Sequence, residues 1–212
     1  MSRKRVTEIF PWLLPLRQKQ RRFCFYLKMF LDKNNYAIGI SESLLPMIVF
    51  KTRTKLINPN TNMDLVFQEN KIHNLRLVAQ KLDHLLIKPG QTFSFWRLAK
   101  NADKSTPYKD GLCLVNNELV AVYGGGLCQL SNMLYWLFCH SGLLITERHS
   151  HEAKHFPAPE GDMPEEADAT VYEGWLDLKA RNDTMSDFQI LINFDENYMY
   201  GELRKGADPD EK

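Results

Sequence analysis

Three consecutive glycines, Gly124 to Gly126, lead directly into a segment that has the apolar spacing of a helix. Glycine adopts positive φ without steric cost, so the chain can turn sharply just before that segment. The apolar residues after the turn recur at intervals of three and four, which predicts a helix with one buried face. They are Leu127, Leu130, Leu134, Leu137 and Phe138. This pattern places Cys128 in the first turn of a core helix, off its buried face.

Cys128 therefore stands where a helix favours negative charge. The first N–H groups of a helix have no intrahelical acceptor and the helix dipole is positive there, so a thiolate is stabilised. Free cysteine is also among the most buried residue types and can simply fill space in a core. The turn and the helix alone leave two interpretations open, a reactive thiol and a packing residue.

A strand pattern follows the predicted helix. From Leu143 to His151 apolar and polar residues alternate in a way that predicts a strand with His149 and His151 on one side. A cysteine at a helix start beside a histidine on a neighbouring strand is the nucleophile and base arrangement of papain-like thiol enzymes. In such enzymes the thiolate attacks a carbonyl group and the imidazole transfers the proton. The pattern therefore favours acyl-transfer chemistry.

Several motifs resemble those of the VanW family and occur in the same order. They are Pro89-Gly90-Gln91-Thr92-Phe93-Ser94-Phe95, Gly124 to Ser131, Glu147-Arg148-His149-Ser150-His151, Asp168-Ala169-Thr170-Val171 and Leu176-Asp177-Leu178-Lys179. The resemblance covers roughly residues 70 to 185, and the basic, aromatic N-terminus resembles short VanW proteins encoded with glycopeptide-resistance genes. Some exported relatives use this domain as a peptidoglycan L,D-transpeptidase, with the cysteine of the glycine-rich motif as nucleophile. Carried over by motif, that role falls on Cys128.

The same motifs suggest the other parts of a thiol site. His151 is favoured over His149 as the base, because the first histidine of that motif is another residue in some relatives. Asp168 would orient the imidazole, and Arg148 would bind a carboxylate through its guanidinium fork. An ordinary surface ion pair between Arg148 and Asp168 is the alternative, and it is the more common arrangement of such residues.

The glycine-rich motif is expected to contact the substrate. Backbone N–H groups near Gly126 and Cys128 would form an oxyanion hole. We assign substrate binding to four residues of this motif together with Arg148; the four are Gly125, Gly126, Gln129 and Ser131.

A zinc site is a competing interpretation of the same side chains. Ligand types that suit zinc occur at Cys128, His149, His151, His155 and Asp168. The Cys-x-x-Cys and His-Glu-x-x-His spacings that accompany many zinc sites are missing from the sequence. We therefore expect neither a metal nor another cofactor.

The rest of the chain predicts an α+β fold, in which a mostly antiparallel sheet packs against a few helices. An apolar stripe from Ile72 to Leu86 predicts a helix that Pro89-Gly90 ends. Alternating residues on both sides of Asn116-Asn117 predict a hairpin. Four late strands are expected, at Ala169–Tyr172, Trp175–Lys179, Phe188–Phe194 and Tyr198–Leu203.

The composition is that of an ordinary globular domain, with 44% hydrophobic and 25% charged residues in 212. We divide the chain into three parts. Residues 1–69 are a basic, aromatic segment packed on or leading into the domain, residues 70–205 form the VanW domain, and residues 206–212 form a disordered tail.

The N-terminal segment is strongly basic. Residues 1–35 contain nine Lys/Arg and two acidic residues, a net charge of +7, which leaves −6 elsewhere because the whole chain carries +1. One helical face combines Phe23, Tyr26, Leu27, Phe30 and Leu31. We expect this face to pack on the domain. Docking on an anionic membrane surface is the alternative, and nucleic acid is not an expected partner.

The sequence predicts a cytoplasmic protein, with peripheral contact to the inner membrane face as a further option. The apolar run at 23–31 is too short for a transmembrane span, and no cleavage site of a signal peptide follows it. Four cysteines in such a chain are expected to be free thiols. The substrate would then be a soluble or inner-leaflet peptidoglycan precursor, such as a peptide or D-amino-acid amide. The alternative function is a non-catalytic accessory protein that binds such a precursor or a partner protein.

Overall fold

The computed structural model describes residues 10–61, 63–115, 118–151, 163–164 and 166–207. Within them lie four α-helices, which are α1 (Leu14–Leu31), α2 (Leu65–Leu82), α3 (Phe95–Ala99) and α4 (Cys128–Cys139). Short 3-10 turns occur at Pro11–Leu13 and Pro59–Thr61. No helix in the described segments combines the length and the apolarity that crossing a membrane requires.

The described strands form two sheets and a separate hairpin. The five-stranded sheet has the order β2-β4-β10-β11-β3 and is antiparallel throughout. Its strands are β2 (Gly39–Ile40), β3 (Met47–Lys55), β4 (Leu85–Ile87), β10 (Phe188–Phe194) and β11 (Tyr198–Lys205). The segment before residue 70 therefore contributes strands to this sheet.

The four-stranded sheet has the order β1-β5-β9-β8, and only its β1–β5 pair is parallel. Its strands are β1 (Asn35–Tyr36), β5 (Gln91–Ser94), β8 (Leu144–Glu147) and β9 (Lys179–Arg181). The hairpin consists of β6 (Asp110–Val115) and β7 (Glu118–Tyr123), as the sequence predicts. The predicted α+β class with mostly antiparallel strands is confirmed.

Helix α4 forms the centre of the core, as its apolar spacing predicts. Its buried side chains include Leu130, Leu134, Leu137 and Phe138, and each contributes about 1.5–3 kcal/mol to folding on full burial. Phe138 meets Phe93 of β5 with ring centroids 4.9 Å apart. On the other side, α4 lies so close to β11 that a Cβ added at Gly201 would come within 2.9 Å of the Met133 sulfur. Helix α4 therefore joins the two sheets.

The glycine turn fixes where α4 begins. Gly124 and Gly126 have φ values of 73° and 93°, which side-chain-bearing residues rarely adopt. A Cβ at Gly125 would collide with the backbone carbonyl of Gly111, and one at Gly126 would collide with the Lys71 side chain. The turn is therefore packed against β6 and α2, and it delivers Cys128 to the first position of the helix.

Two predicted elements end earlier than expected. Helix α2 stops at Leu82, because Asp83 is extended and His84 has a φ of 60°, and Leu85 and Leu86 belong to β4 instead. The strand that was expected to reach the histidines stops at Glu147, so residues 148–151 have no regular structure. The strands expected at Ala169–Tyr172 and Trp175–Lys179 are wrong, because these segments form an isolated bridge between Tyr172 and Leu176 and strand β9 begins only at Lys179.

The expected packing face of α1 is wrong in part. Phe23, Phe30 and Leu31 are 68%, 76% and 69% exposed, although Tyr26 contacts the domain. The helix instead turns Met29 inward, since Tyr26 donates a hydrogen bond of 2.7 Å to Glu173 and thereby sets the rotation of the helix. The predicted tail lies largely outside the described residues.

Candidate functional site

Cys128 is the first residue of α4 and is partly buried. Its thiol lies 3.8 Å from the backbone carbonyl oxygen of Val171, a weak hydrogen bond. None of the four cysteines forms a disulfide, and Cys24 and Cys139 are more exposed than Cys128. The location at a helix N-terminus is the one that the sequence predicts.

Within the described segments, unpaired backbone donors occur at Cys128 and at the two residues before it. Among the described residues, no acceptor takes the N–H groups of Gly126, Leu127 and Cys128, because the Gly125 N–H donates to Val122 and the next donor along the chain is the Gln129 N–H. These donors lie at the positive end of the helix dipole. They are therefore available to a negatively charged oxygen next to the sulfur.

Residues 168–171 run along the outside of α4 and are bound to it by three of its residues. The Ser131 hydroxyl donates a 2.5 Å hydrogen bond to the Ala169 carbonyl, and the Ala169 N–H donates one of 2.7 Å to the Asn132 side-chain oxygen. Cys128 adds its contact with Val171. These three helix positions are three and four residues apart and so lie on one face of α4. The Asp-Ala-Thr-Val motif is thereby held beside the thiol.

His151 connects Asp168 to Cys128. The Asp168 carboxylate lies 2.6 Å from the Nδ1 atom of His151 and also accepts the His151 backbone N–H at 2.8 Å. Hydrogen bonding to Asp168, and then to the Cys128 thiol, outweighs burial and raises the pKa of His151 to about 10. With Nδ1 taken by Asp168, Nε2 is the ring nitrogen left for the thiol. These contacts favour the protonated form of the imidazole, which adjoins the sulfur.

Asp168 is the fixed anion of this group. Burial opposes its ionisation, but hydrogen bonds from the imidazole and the N–H of His151 hold the pKa of Asp168 below its usual range. A carboxylate that stays ionised keeps the imidazole in one orientation, as in catalytic triads. The described geometry thus joins Asp168, His151 and Cys128 in a continuous array.

Arg148 contacts the same motif through the backbone. Its Nε atom donates a 2.6 Å hydrogen bond to the Asp168 carbonyl oxygen, and its guanidinium lies 4.8 Å from the centre of the Tyr135 ring. The alternative of a surface ion pair with the Asp168 carboxylate does not describe this contact. The binding of a substrate carboxylate by Arg148 stays a prediction.

His149 has different neighbours from His151. The His149 imidazole lies 3.2 Å from the Glu147 carboxylate, which also lies 3.0 Å from the Lys179 ammonium. The backbone carbonyl of His149 accepts a hydrogen bond from the Thr170 N–H. Because the strand ends at Glu147, the two histidines no longer share one side of a regular strand. The structure brings His151, and not His149, to Cys128.

Four residues assigned to substrate binding have scaffold contacts. Ser131 is fully buried under Ala169. The Gln129 amide donates to the Thr54 hydroxyl at 2.9 Å and to the Lys55 carbonyl at 2.6 Å, which ties α4 to β3. Gly125 and Gly126 are required by the close packing of the turn. Gln129 and Ser131 therefore hold α4 against its neighbours, and direct contact of these residues with a substrate stays a prediction.

Sequence reasoning missed two contributors to the site, Asn132 and Tyr135. Asn132 lies one helical turn after Cys128, and that spacing was the available signal. No group of three potential metal-binding side chains occurs in the part of the chain that the structure describes. His155 lies outside the described residues. Two concavities, beside Lys51 and beside Lys55, do not border Cys128.

Comparison with known proteins agrees with the motif pattern. A family model described as VanW like protein matches residues 70–204. The vancomycin B-type resistance protein VanW of Enterococcus faecalis is 50% identical over 209 residues, which cover 99% of this chain and 76% of that protein. The uncharacterized protein YoaR of Bacillus subtilis is 32% identical over 114 residues, which cover 54% of this chain and 36% of that protein.

No solved structure matches the chain at a significant level. The match to the family model extends over well more than half of the chain and includes all of the motifs around Cys128. The Enterococcus relative is similar over almost the whole chain. On both grounds, the chain belongs to the VanW family.

Proposed function

We propose that this VanW protein is a thiol-dependent acyltransferase, or an amidase, that acts on a peptide of the peptidoglycan-precursor class. The observation that supports the proposal is the array of Asp168, His151 and Cys128 at the unpaired N–H groups of α4. The glycopeptide-resistance context follows the name of the Enterococcus relative. The cytoplasmic location that the sequence predicts is part of this proposal.

The first step forms a thioester. The Cys128 thiolate attacks the carbonyl carbon of an amide bond, and the resulting oxyanion accepts hydrogen bonds from the N–H groups at the start of α4. His151 then gives its proton to the leaving amine nitrogen while the C–N bond breaks. The products are an acyl-enzyme and a free amine.

The second step releases the acyl group. His151, now neutral, takes a proton from an acceptor amine or from water, which attacks the thioester carbonyl. The C–S bond breaks and the thiolate and imidazolium form again. An amine acceptor gives transfer and water gives hydrolysis, so the acceptor alone distinguishes an acyltransferase from an amidase.

Arg148 supplies a recognition element in this proposal. The Nε atom of Arg148 and the Tyr135 ring hold the side chain beside Asp168. Among the described contacts, this leaves the two outer nitrogens of the guanidinium available to a ligand. A guanidinium binds carboxylates by two parallel hydrogen bonds. A peptide with a free C-terminal carboxylate near its scissile bond fits this feature.

The test is capture of the acyl-enzyme. The full chain is mixed with a tetrapeptide that ends in D-alanine, quenched with acid and analysed by intact mass spectrometry. We expect Cys128 to carry an adduct whose mass is that of the tetrapeptide minus D-alanine, and we expect free D-alanine to be released. Cys128→Ala should abolish both, and His151→Gln should slow them about 100-fold, the usual contribution of general acid–base catalysis.

Two variants serve as matched controls. Cys139→Ala removes an exposed free thiol from the other end of α4, and His149→Gln removes the imidazole that pairs with Glu147. Both should keep the adduct. The enzyme proposal would be contradicted if the wild type formed no adduct while Cys128→Ala still bound the tetrapeptide. That result would favour the accessory role.

A further inference from the structure

Helix α1 has two long faces with opposite environments. The docked face comprises Arg22, Phe25, Tyr26 and Met29, and it is turned toward the domain. The outer face comprises Leu16, Phe23, Leu27, Phe30 and Leu31, which are all exposed. At 100° per residue the centres of these two sets lie about 130° apart around the helix, and Tyr26 of the docked face adjoins Phe30 of the outer face.

The docked face fixes how α1 sits on the protein. Tyr26 and Arg22 both bind Glu173 at 2.7 Å, one by a hydrogen bond and the other by an ion pair. Gly174 allows the backbone of Arg22 to approach, since a Cβ there would come within 3.2 Å of it. Arg21 lies 5.2 Å from the centre of the Trp175 ring. The exposure of the outer face is therefore a consequence of specific contacts on the docked face.

The outer face is a continuous apolar stripe. Its members recur at spacings of seven, four and three residues, so they line up along the helix. Phe23 and Phe30 are 68% and 76% exposed, and Trp12, just before the helix, is 74% exposed. Monomeric soluble proteins seldom leave such a stripe in water, and where it occurs it marks an interaction surface.

The charges of α1 indicate which surface covers the stripe. The helix contains five basic residues and no acidic residue. On the helical wheel Lys19 flanks the stripe on one side, and Arg17 and Lys28 flank it on the other; all three are exposed. An apolar stripe between two basic margins fits a bilayer with anionic headgroups, in which the margins meet phosphates and the stripe meets acyl chains.

We propose that α1 is an amphipathic membrane-docking helix that lies in the plane of an anionic bilayer, with its outer face among the lipids. The docking would be peripheral, since the helix lies along the surface. It does not depend on any reaction at Cys128. The occupant of the stripe is thus a lipid surface carrying phosphate groups, and not a protein helix.

Docking in this way would bring the Cys128 site close to the membrane. The same short segment that contacts α1 through Glu173, Gly174 and Trp175 begins with Val171, whose carbonyl adjoins Cys128. Few residues therefore separate the lipid-facing helix from the thiol. A membrane-bound ligand of the site would be reached without release into solution.

The test is co-sedimentation of the full chain with vesicles of phosphatidylcholine alone or with 30% phosphatidylglycerol. Wild-type protein should bind the anionic vesicles and bind neutral vesicles about tenfold more weakly, and added salt should weaken the binding. Phe23→Ser combined with Phe30→Ser should abolish binding to both. Arg17→Gln, Lys19→Gln and Lys28→Gln together should reduce binding to anionic vesicles about tenfold or more.

Matched controls change the same properties elsewhere. Leu65→Ser with Val66→Ser removes two exposed apolar residues from α2, and Lys81→Gln, Lys88→Gln and Lys104→Gln together remove three exposed charges. Both control proteins should bind like the wild type, and all variants should keep the wild-type unfolding midpoint. Equal binding by outer-face and control variants would overturn the proposal. So would a dimer in solution that the Phe23 and Phe30 changes dissociate, without vesicle binding by the wild type.

Discussion

Asp168 and Asp177 lie in neighbouring motifs, and their surroundings give them opposite properties. Asp168 faces the imidazole of His151 at 2.6 Å, and its pKa is held below the usual range despite burial. Asp177 is fully buried and accepts hydrogen bonds from the Ser94 hydroxyl at 2.6 Å and from the N–H groups of Trp96 and Leu178 at 3.0 Å. Burial raises the pKa of Asp177 to about 6.

The different surroundings distinguish Asp168, a residue of the candidate site, from Asp177, a residue that supports the fold. Asp168 interacts with a group that can change its charge, so it can control the proton of His151. Asp177 interacts with groups that do not titrate near neutral pH, and it joins the end of β5, the start of α3 and the residues before β9. Of the two aspartates, Asp168 is therefore the candidate for chemistry, and Asp177 supports the fold.

The largest expected effect is the loss of stability when Asp177 is truncated. In Asp177→Ala, the Ser94 hydroxyl and the N–H groups of Trp96 and Leu178 lose their acceptor in a buried place. An unpaired buried donor costs about 1–3 kcal/mol, so the free energy of unfolding should fall by about 3 kcal/mol or more. Urea unfolding measures this loss.

An exposed aspartate provides the control for that experiment. Asp183 pairs with Arg181 at the surface, so Asp183→Ala should leave the unfolding midpoint close to that of the wild type. If Asp177→Ala were as stable as Asp183→Ala, Asp177 would not be a residue that stabilises the fold.

A smaller and sharper effect is an opposite pH dependence of the two Asn variants. The lowered pKa of Asp168 means that its contribution to stability is present above pH 4 and is lost as the pH falls further. The raised pKa of Asp177 means that its contribution is present below pH 4 and is lost as the pH rises through about 6. The penalty of Asp168→Asn should therefore shrink from pH 5 to pH 2.5.

The penalty of Asp177→Asn should change in the other direction. It should be largest near pH 4 and smaller by about 2 kcal/mol at pH 7, because only the wild type then carries the cost of a buried charge. Urea unfolding of both variants and the wild type at four pH values gives the two slopes. If the stability penalties of the two variants changed with pH in the same direction, the distinction between the two aspartates would be wrong.

The sequence could predict the parts of the fold that depend on local spacing. The helix after the glycines, the hairpin around Asn116-Asn117 and the strand Phe188–Phe194 occur where their patterns indicate. The rotation of α1 could not be predicted, since apolar residues occur on two of its faces and contacts with the distant residues 173–175 select one. Likewise, Gln129 and Ser131 belong to a motif that suggests a ligand, but contacts with β3 and Ala169 determine what they do.

The site itself was predictable as a set of residue types and not as an arrangement. The position of Cys128 follows from the glycine turn and the apolar spacing of α4. The link from His151 to Asp168 joins two irregular segments, for which no periodic pattern exists. Such contacts arise from tertiary packing and were available in advance only through the resemblance to a family.

The most direct test of the account is the rate at which each cysteine reacts with iodoacetamide between pH 5 and 10, measured by mass spectrometry. Cys24 and Cys139 are more exposed than Cys128, so greater access cannot explain a faster reaction of Cys128. We predict that Cys128 reacts about tenfold faster than Cys24 or Cys139 at pH 7, and that His151→Gln lowers the rate at Cys128 to theirs. Reaction of Cys128 no faster than that of Cys24, with the same rise toward high pH in the wild type and in His151→Gln, would contradict it.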